Sequence, residues 1–523
     1  KEIQDMLILI RSTGLRLRVQ HKLPWQCNPV FNDPIHGTVE LHPLLIKIID
    51  TPQFQRLRNI KQLGGAYFVY PGASHNRFEH SIGVGHLAGQ LVEALRTRQP
   101  ELDINDRDVL CVKIAGLCHD LGHGPFSHLY DQMFIPKVPH PPGPLGDKMA
   151  KWKHEEASVE MFDHLVESNN LEMKDHGLIL PEDMDFIKKL IEGLKDPKAV
   201  QWPYCGRPKE KSFLFEIVAN KTNGIDVDKF DYFARDCYHL GMQNNFDHLR
   251  FIQFARVIKV KKDELNHICC RDKEVGNLYD MFYTRNCLHR RAYQHKVNTI
   301  MIAEAFLEAD KHIEIEGSGG KEFTLSPAIG DTEAYTKLTD HVFEQILNSP
   351  SVELAEAKKI LERVINSPSV ELAEAKKILK RVISRDHYRF LGETKPRQFV
   401  TFDYGMNDQD PIKNVYFYSK RNPNTAFNIP RDQVSKLLPA CFSEQLIRVY
   451  SRKTDEPSVE AARRHLVKWC KAKGLPNPQH SVVLDTISLK TNDFRVPGYI
   501  TACLGHIVSF FRALFNIIHI SLF

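Results

Sequence analysis

The chain has 523 residues, 42% of them hydrophobic and 26% charged, with a net charge of +5. That length implies about two to four domains, or one large helical domain with appendages, and the composition excludes wholesale disorder. So mild a charge suits a site that draws in anions, but gives no ground to expect nucleic-acid binding.

Residues 1–27 carry no decisive signal, and Met6 to Ile10 is an apolar run too short to span a membrane. The chain starts at Lys1 and not at Met, so it reads as a piece of a longer one. From about Pro29 to Leu391 the pattern is mainly helical. Leu110, Ile114, Leu117 and Leu121 recur at spacings of four, three and four, one stripe of an amphipathic helix. Asn105 or Asp106 would cap its start, and Gly122 to Pro125 would end it. His119 and Asp120 then stand at the C-terminal end of a helix whose other face is buried. Residues 136–148, with five prolines and two glycines, read as an exposed loop. In Gly317-Ser318-Gly319-Gly320-Lys321, Ile315 stands where a phosphate-cradling loop needs glycine, and Glu322 where it needs Ser or Thr. A turn between strands is the better reading.

Residues 348–365 and 366–383 form a tandem repeat that differs only at Glu362 against Lys380. Eighteen residues are five helical turns, so each copy presents the same face. The repeat reads as one duplicated surface helix without a catalytic role. Residues 398–470 mix a strand-like run, Val415 to Tyr418, with a helix from Ser458 to Lys471, which points to a smaller α+β lobe. Gly498 to Phe523 is long and apolar, but Arg512 near its middle costs about 2.5–3.5 kcal/mol on insertion, so membrane spanning is not expected. The 11 cysteines are odd in number and contain no C-x-x-C pair, which fits reduced, mostly buried thiols.

The stretch Cys118-His119-Asp120-Leu121-Gly122-His123-Gly124-Pro125-Phe126-Ser127-His128 carries the chemistry. A histidine followed directly by an aspartate offers an imidazole nitrogen and a carboxylate oxygen to one ion. That mixed set suits a divalent metal that activates water and not a thiolate structural site. Further ligands are needed. His80 lies in Arg77-Phe78-Glu79-His80-Ser81-Ile82-Gly83-Val84, and Asp226 and Asp228 lie in Asn223-Gly224-Ile225-Asp226-Val227-Asp228-Lys229. Residues two apart on a helix point in different directions, so one aspartate of that pair would face the metal, and the pattern does not choose which. A metal-dependent hydrolase follows from the joint pattern H…HD…D.

That order on a helical chain resembles the HD-domain superfamily of metal-dependent phosphohydrolases. Longer runs resemble its SAM- and HD-domain deoxynucleoside triphosphate triphosphohydrolases: Asn32-Asp33-Pro34-Ile35-His36-Gly37, Phe54-Gln55-Arg56-Leu57-Arg58, Asp226-Val227-Asp228-Lys229-Phe230-Asp231-Tyr232, Arg271-Asp272-Lys273-Glu274-Val275 and Arg290-Arg291-Ala292-Tyr293-Gln294-His295-Lys296. The likeness is dense over residues 28–394 and looser over 401–478. The residues given do not include the SAM domain that precedes this core in the family.

The resemblance implies a mainly α fold, an HD-domain helical core over 28–394 and a smaller α+β C-terminal lobe over 395–480. Residues 1–27 stay unassigned, and 481–523 form a divergent apolar tail. By position, His80, His119, Asp120 and Asp228 would hold the metal, whether zinc, iron, manganese or magnesium. His154 would be the acid/base, with His123 and Asp131 in a relay and His128 near the scissile phosphate–sugar oxygen. Gln62, Leu63 and Val69 would line the sugar and base pocket. Arg77, Lys229, Tyr232, Asp236, Arg285, Tyr293 and Gln294 would bind triphosphate and deoxyribose. Regulatory GTP or dNTP, which assemble the family's homotetramers, would meet Val30, Asn32, Asp50, Gln55, Arg58, Arg250, Arg271, Lys273, Asn277, His295, Lys296, Val297 and Lys420. The departures fall on that regulatory set. Pro29 replaces the usual lysine, about three residues are missing after Val297, and the basic segment between Gly392-Glu393-Thr394 and Asp403-Tyr404-Gly405-Met406 is almost gone.

The function so implied is hydrolysis of dNTP to deoxynucleoside and inorganic triphosphate. With it would come depletion of DNA precursors, restriction of viral reverse transcription and a nuclear location. Two other readings compete. One is a different HD-type nucleotide phosphohydrolase. The other is a single-stranded nucleic-acid-binding protein with a vestigial site, for which Arg463-Arg464-His465 supplies basic residues.

Overall fold

The computed structural model describes residues 29–194, 206–293, 296–348, 378, 381–382, 387–394, 401–403, 409–435, 438, 443–445 and 447–479. The repeat within 349–377 and the apolar tail, the subjects of two sequence expectations, lie outside these residues. As expected, the described part is mainly helical, with small two- and three-stranded sheets.

Three helices set the architecture. Arg77–Arg98 is buried on nearly every side, through Val84, Leu87, Leu91, Val92 and Leu95 among others. Each such side chain contributes about 1.5–3 kcal/mol by leaving water. The Asp106–Cys118 helix packs along it, and Val227–Leu240 packs on another of its sides. Leu110, Ile114 and Leu117 are buried as their spacing demands; the helix ends at Cys118 and not at Gly122 to Pro125, so Leu121 is buried from the turn beyond it. Asn105 caps the second helix by accepting from Asp108 N–H, and Asp108 answers with a bond to the Asn105 N–H. That reciprocal box satisfies two of the donors every helix start leaves open.

A hairpin of Val30–Asp33 and Gly37–Glu40 leads into this core. Asp33 accepts from the N–H groups of Ile35 and His36 and also from Arg235, which ties the hairpin tip to the third helix. Strands Arg256–Val260 and Leu265–Arg271 pair antiparallel, and Phe417–Tyr418 adds in parallel, with Arg271 opposite Tyr418. Arg389–Thr394 pairs with Ile447–Ser451, and the Glu456–Ala472 helix covers them. Leu391, Val459, Leu466 and Cys470 form this lobe's own small core, whereas Ile412, Val415 and Phe417 belong to the large one.

One local expectation is corrected. Residues 136–148 are not wholly loop, since Pro144–Lys151 is a helix with proline in its first turn and Met149 buried. Proline lacks the N–H that a first turn leaves unpaired anyway, so a proline-rich stretch can open a helix. The glycine-rich Gly317–Lys321 does connect two short antiparallel strands, Ile315–Glu316 and Glu322–Phe323. The described cysteines are free thiols and, except for Cys287, buried. Among the described residues no helix is long and apolar enough to cross a membrane.

Candidate metal centre and nucleotide site

The three packed helices deliver one residue set to a single point. His80 comes from the second turn of Arg77–Arg98, His119 and Asp120 from the end of Asp106–Cys118, and Asp228 from the first turn of Val227–Leu240. His80 Nε2 lies 3.4 Å from Asp120 Oδ2 and 3.2 Å from Asp228 Oδ1. His119 Nε2 lies 3.4 Å from Asp120 Oδ1 and 3.4 Å from Asp228 Oδ1. Asp226 points elsewhere: it caps the third helix through Lys229 N–H and binds the Lys229 ammonium. Of the pair that helical spacing left open, Asp228 is the one that faces His80 and His119.

The donor set fits a divalent cation. Both Nε2 atoms are buried and complete no hydrogen bond among the described residues. Ligand atoms held about 2.0–2.2 Å from one ion stand about 3.0–3.5 Å from each other, which is the separation seen. Burial disfavours charge on His80 and His119, yet Asp120 and Asp228 outweigh it and raise both. The same negative field would favour a dication.

The second rank of residues orients the first. His80 Nδ1 donates to Asp231 at 2.7 Å, and Asp231 also accepts from His36 at 2.6 Å and from Arg235 at 2.9 Å. His119 Nδ1 donates to the Gly116 carbonyl at 2.8 Å. Each bond fixes the tautomer that leaves Nε2 with its lone pair toward the centre. Sequence reading missed Asp231. Its signal was present, since Asp228 and Asp231 are three apart and share a helix face.

A histidine group adjoins this centre. Gly122 makes it fit, because a Cβ there would come 2.3 Å from the His154 carbonyl and 2.2 Å from Ser158 N. The turn after His119 can therefore press against the start of the His154–Ser168 helix. The rings of His123 and His154 stack at 4.1 Å, and the His128 ring stands edge-on, 5.0 Å from His123 and 5.2 Å from His154. His154 Nδ1 donates to Asp131 at 2.8 Å, and Asp131 also faces His128 at 3.5 Å. Burial opposes a charge on His154, but Asp131, Glu155 and Asp120 outweigh it and raise its pKa above the ordinary value. Burial likewise opposes ionisation of Asp131, and the His128 and His154 hydrogen bonds reverse this, holding it far below the carboxylate range. His123 is pushed well down by burial and by the Arg77 and His154 charges, and so stays neutral. Its Nε2 stands 3.3 Å from Asp120, linking the two groups.

Of the expected nucleotide-binding residues, Arg77 is the most tightly placed. It donates to Asp120 at 2.6 Å and to Ser127 at 3.0 Å, and reaches the Gln62 carbonyl at 3.4 Å. Gln62 is buried; Leu63 and Val69 flank the short 3-10 helix Gly64–Phe68, with Val69 exposed. Lys229, Tyr232 and Asp236 recur at three and four residues on one face of their helix. The Tyr232 ring lies 6.3 Å from that of His80. Asp236 accepts from Tyr293 at 2.5 Å and from the buried His75 at 2.6 Å, a partner that sequence reading missed. Arg285 contacts His289 one turn on. Gln294 lies outside the described residues.

Among the expected regulatory residues, one group gathers around Arg58 and another around Arg250. In the first, Arg58 donates to Gln55 at 2.7 Å and covers the Phe78 ring, Gln55 binds the Ile49 carbonyl, and Asp50 ends the Pro43–Ile49 helix. Val30 and Asn32 lie on the hairpin. In the second, Arg250 and Arg271 lie on the Phe254 ring at 5.0 and 5.3 Å, and Arg250 pairs with Glu274. Asn277 exchanges bonds with Asp247, while Lys273 and the exposed Lys420 lie beside the paired strands. His295 lies outside the described residues. Lys296 and Val297 open the Lys296–Ala309 helix.

Comparisons with known proteins agree with this geometry. The HD domain family matches residues 77–236, an interval that begins at Arg77, ends at Asp236 and encloses the four converging residues His80, His119, Asp120 and Asp228. The deoxynucleoside triphosphate triphosphohydrolase SAMHD1 of Danio rerio is 56% identical over 507 residues, covering 91% of this chain and 80% of the relative. The Homo sapiens SAMHD1 is 55% identical over 481 residues, covering 87% and 75%. A Dictyostelium discoideum SAMHD1 homolog is 35% identical over 473 residues, covering 87% and 83%. Similarity of this degree and extent, over a fold that gathers two histidines and two aspartates as the HD order requires, means that the chain belongs to the family of SAMHD1 deoxynucleoside triphosphate triphosphohydrolases.

Proposed function

We propose that this protein hydrolyses deoxynucleoside triphosphates to the deoxynucleoside and inorganic triphosphate, with a divalent metal as cofactor. The observation that carries the reading is the convergence of two orphaned imidazole nitrogens and two carboxylates beside a histidine hydrogen-bonded to Asp131. His80, His119, Asp120 and Asp228 would hold the metal, which would supply Lewis acidity and activation of water. Iron, zinc, manganese and magnesium all suit this donor set, and metal analysis of the purified protein distinguishes them.

The chain's own residues do the rest. Arg77, Lys229 and Arg285 offset the negative charge of the triphosphate, with Arg77 bridging that charge to Asp120. His154, kept protonated by Asp131, gives a proton to the departing 5′-oxygen. Neutral His123, stacked on His154 and facing Asp120, keeps a second positive charge away from that proton donor. His128 lies against the same pair at the scissile bond. Asp236, held by His75 and Tyr293, presents a carboxylate to the sugar hydroxyl.

Regulation belongs to the same proposal. GTP and dNTP would bind at the two neighbourhoods around Arg58 and Arg250 and join copies of the chain into a tetramer. The chain would act in the nucleus, lowering dNTP pools and thereby restricting viral reverse transcription. Incubation with dGTP, followed by ion-exchange separation of products, tests the core reading. Deoxyguanosine and tripolyphosphate are expected. Pyrophosphate or orthophosphate as the product, or full activity in Asp120→Ala, would overturn it.

A further inference from the structure

Two adjacent residues beside the metal centre adopt a backbone conformation that side chains disfavour. Phe126 has φ +57° and Ser127 φ +56°, both left-handed and neither glycine. Such residues cost about 1–3 kcal/mol each and persist only where their surroundings over-determine them. The surroundings are visible. The Phe126 ring is buried among Phe68, Phe306 and Phe343. Ser127 N–H closes on the Gly124 carbonyl at 3.0 Å.

The polar part of the restraint comes from far away in sequence. Asp340 sits between the Thr332–Lys337 and Val342–Asn348 helices. One of its carboxylate oxygens accepts from Phe126 N–H at 2.5 Å and the other from Lys61 N–H at 2.8 Å. Its own N–H donates to the Asn59 carbonyl at 3.0 Å. One residue beyond the clamp, Ser127 Oγ–H donates to the Lys61 carbonyl at 2.7 Å and accepts from Arg77 Nε at 3.0 Å. Arg77 then reaches Asp120 at 2.6 Å. A continuous path of bonds so leads from Asp340, through both sides of Lys61 and the strained turn, to the guanidinium over a metal ligand.

We propose that Asp340 is a positioning residue: its carboxylate ties the left-handed Phe126–Ser127 turn to Lys61, so that Ser127 aims Arg77 at Asp120 and at the substrate. A carboxylate is required because both partners are N–H donors. An amide would turn one acceptor into a donor facing a donor, and a shorter side chain would reach neither. The consequence for catalysis rests on the function proposed above; the clamp itself does not.

The test compares the full chain with Asp340→Asn, Ser127→Ala and the double variant. Hydrogen exchange of the Lys61 and Phe126 amides reads the clamp without reference to activity. Asp340→Asn is expected to speed exchange at both amides at least tenfold, and unchanged exchange would refute the clamp. Steady-state hydrolysis of dGTP reads the consequence. Each single variant is expected to lower kcat at least tenfold at near-normal metal content. The double variant should be no worse than the more damaging single one, because both act through one path. A kcat within twofold of the parent, or losses that multiply in the double variant, would refute positioning. If Asp340→Asn does not fold, Ser127→Ala decides alone on the same kcat criterion. Absence of dGTP hydrolysis in the parent chain would count against the proposed function, while the exchange result would still decide the clamp.

Discussion

Gly83→Ala tests whether the orientation of His80 depends on a packed second rank of residues. A Cβ at position 83 would stand 1.9 Å from Asp231 Oδ1, 2.6 Å from Arg235 Nη2 and 2.8 Å from Asp231 Cγ, where real contacts stay above 3.0 Å. The carboxylate must therefore retreat by about 1 Å or more, the shortfall against an ordinary contact. It cannot retreat without cost, since it holds His80 at 2.7 Å, His36 at 2.6 Å and Arg235 twice at 2.9 Å, all buried. Disrupting a buried ion pair costs about 3–5 kcal/mol, and losing the residue that orients a ligand histidine typically weakens metal binding about 10–100-fold. The expected result is a melting temperature lower by several degrees and a metal content well below that of the parent chain. Thermal unfolding and elemental analysis measure both. Gly276→Ala is the control, because nothing lies within 4 Å of a Cβ there and the residue is in a helix. It is expected to be neutral or stabilising by up to about 1 kcal/mol. A Gly83→Ala protein with parental melting temperature and full metal content would refute the reasoning.

Asp131→Asn should move the alkaline limb of the kcat–pH profile to lower pH, because Asp131, with Glu155 and Asp120, raises His154 and only protonated His154 can donate. The signs for stability follow from the same pair. The His154 contribution is present below its ordinary value of 6.5 and is lost as pH rises through its raised folded value. The Asp131 contribution is present above its ordinary value of 3.8 and is lost as pH falls toward its depressed folded value. Melting curves across pH should show both losses in the parent, with the acid loss absent and the alkaline loss reduced in Asp131→Asn. Asp228→Ala should strip the metal, whereas Asp226→Ala should cost about 0.5–2 kcal/mol of helix capping and leave the metal in place; elemental analysis separates them. Arg207→Ala should destabilise by about 3–5 kcal/mol, as it leaves the buried Asp108 and Asp183 without the guanidinium that joins them; denaturant unfolding measures it.

Local patterns were legible where the cause is local. A cap at Asn105 or Asp106 and the burial of Leu110, Ile114 and Leu117 follow from neighbours a few residues apart, whereas the helix stops at Cys118, before the Gly122–Pro125 stop signal. The proline-rich 136–148 stretch was less legible, because proline both breaks helices and opens them, and packing of Met149 selects the second outcome from Pro144. The order H…HD…D named the chemistry, since the donor types alone specify a divalent ion.

The sequence by itself determined which residue types meet and which family they belong to. Helical spacing left the 226/228 pair open, the resemblance pointed to Asp228, and the tertiary structure gives the physical reason: Asp228 stands in the first turn of Val227–Leu240 facing His80 and His119, whereas Asp226 is the N-cap just before it and bonds Lys229. The tertiary structure alone revealed Asp340, whose partners Lys61 and Phe126 lie more than 200 residues upstream. No period or spacing encodes such a contact. It exists because the chain's two distant segments are pressed together by the same apolar burial that closes the core around the site.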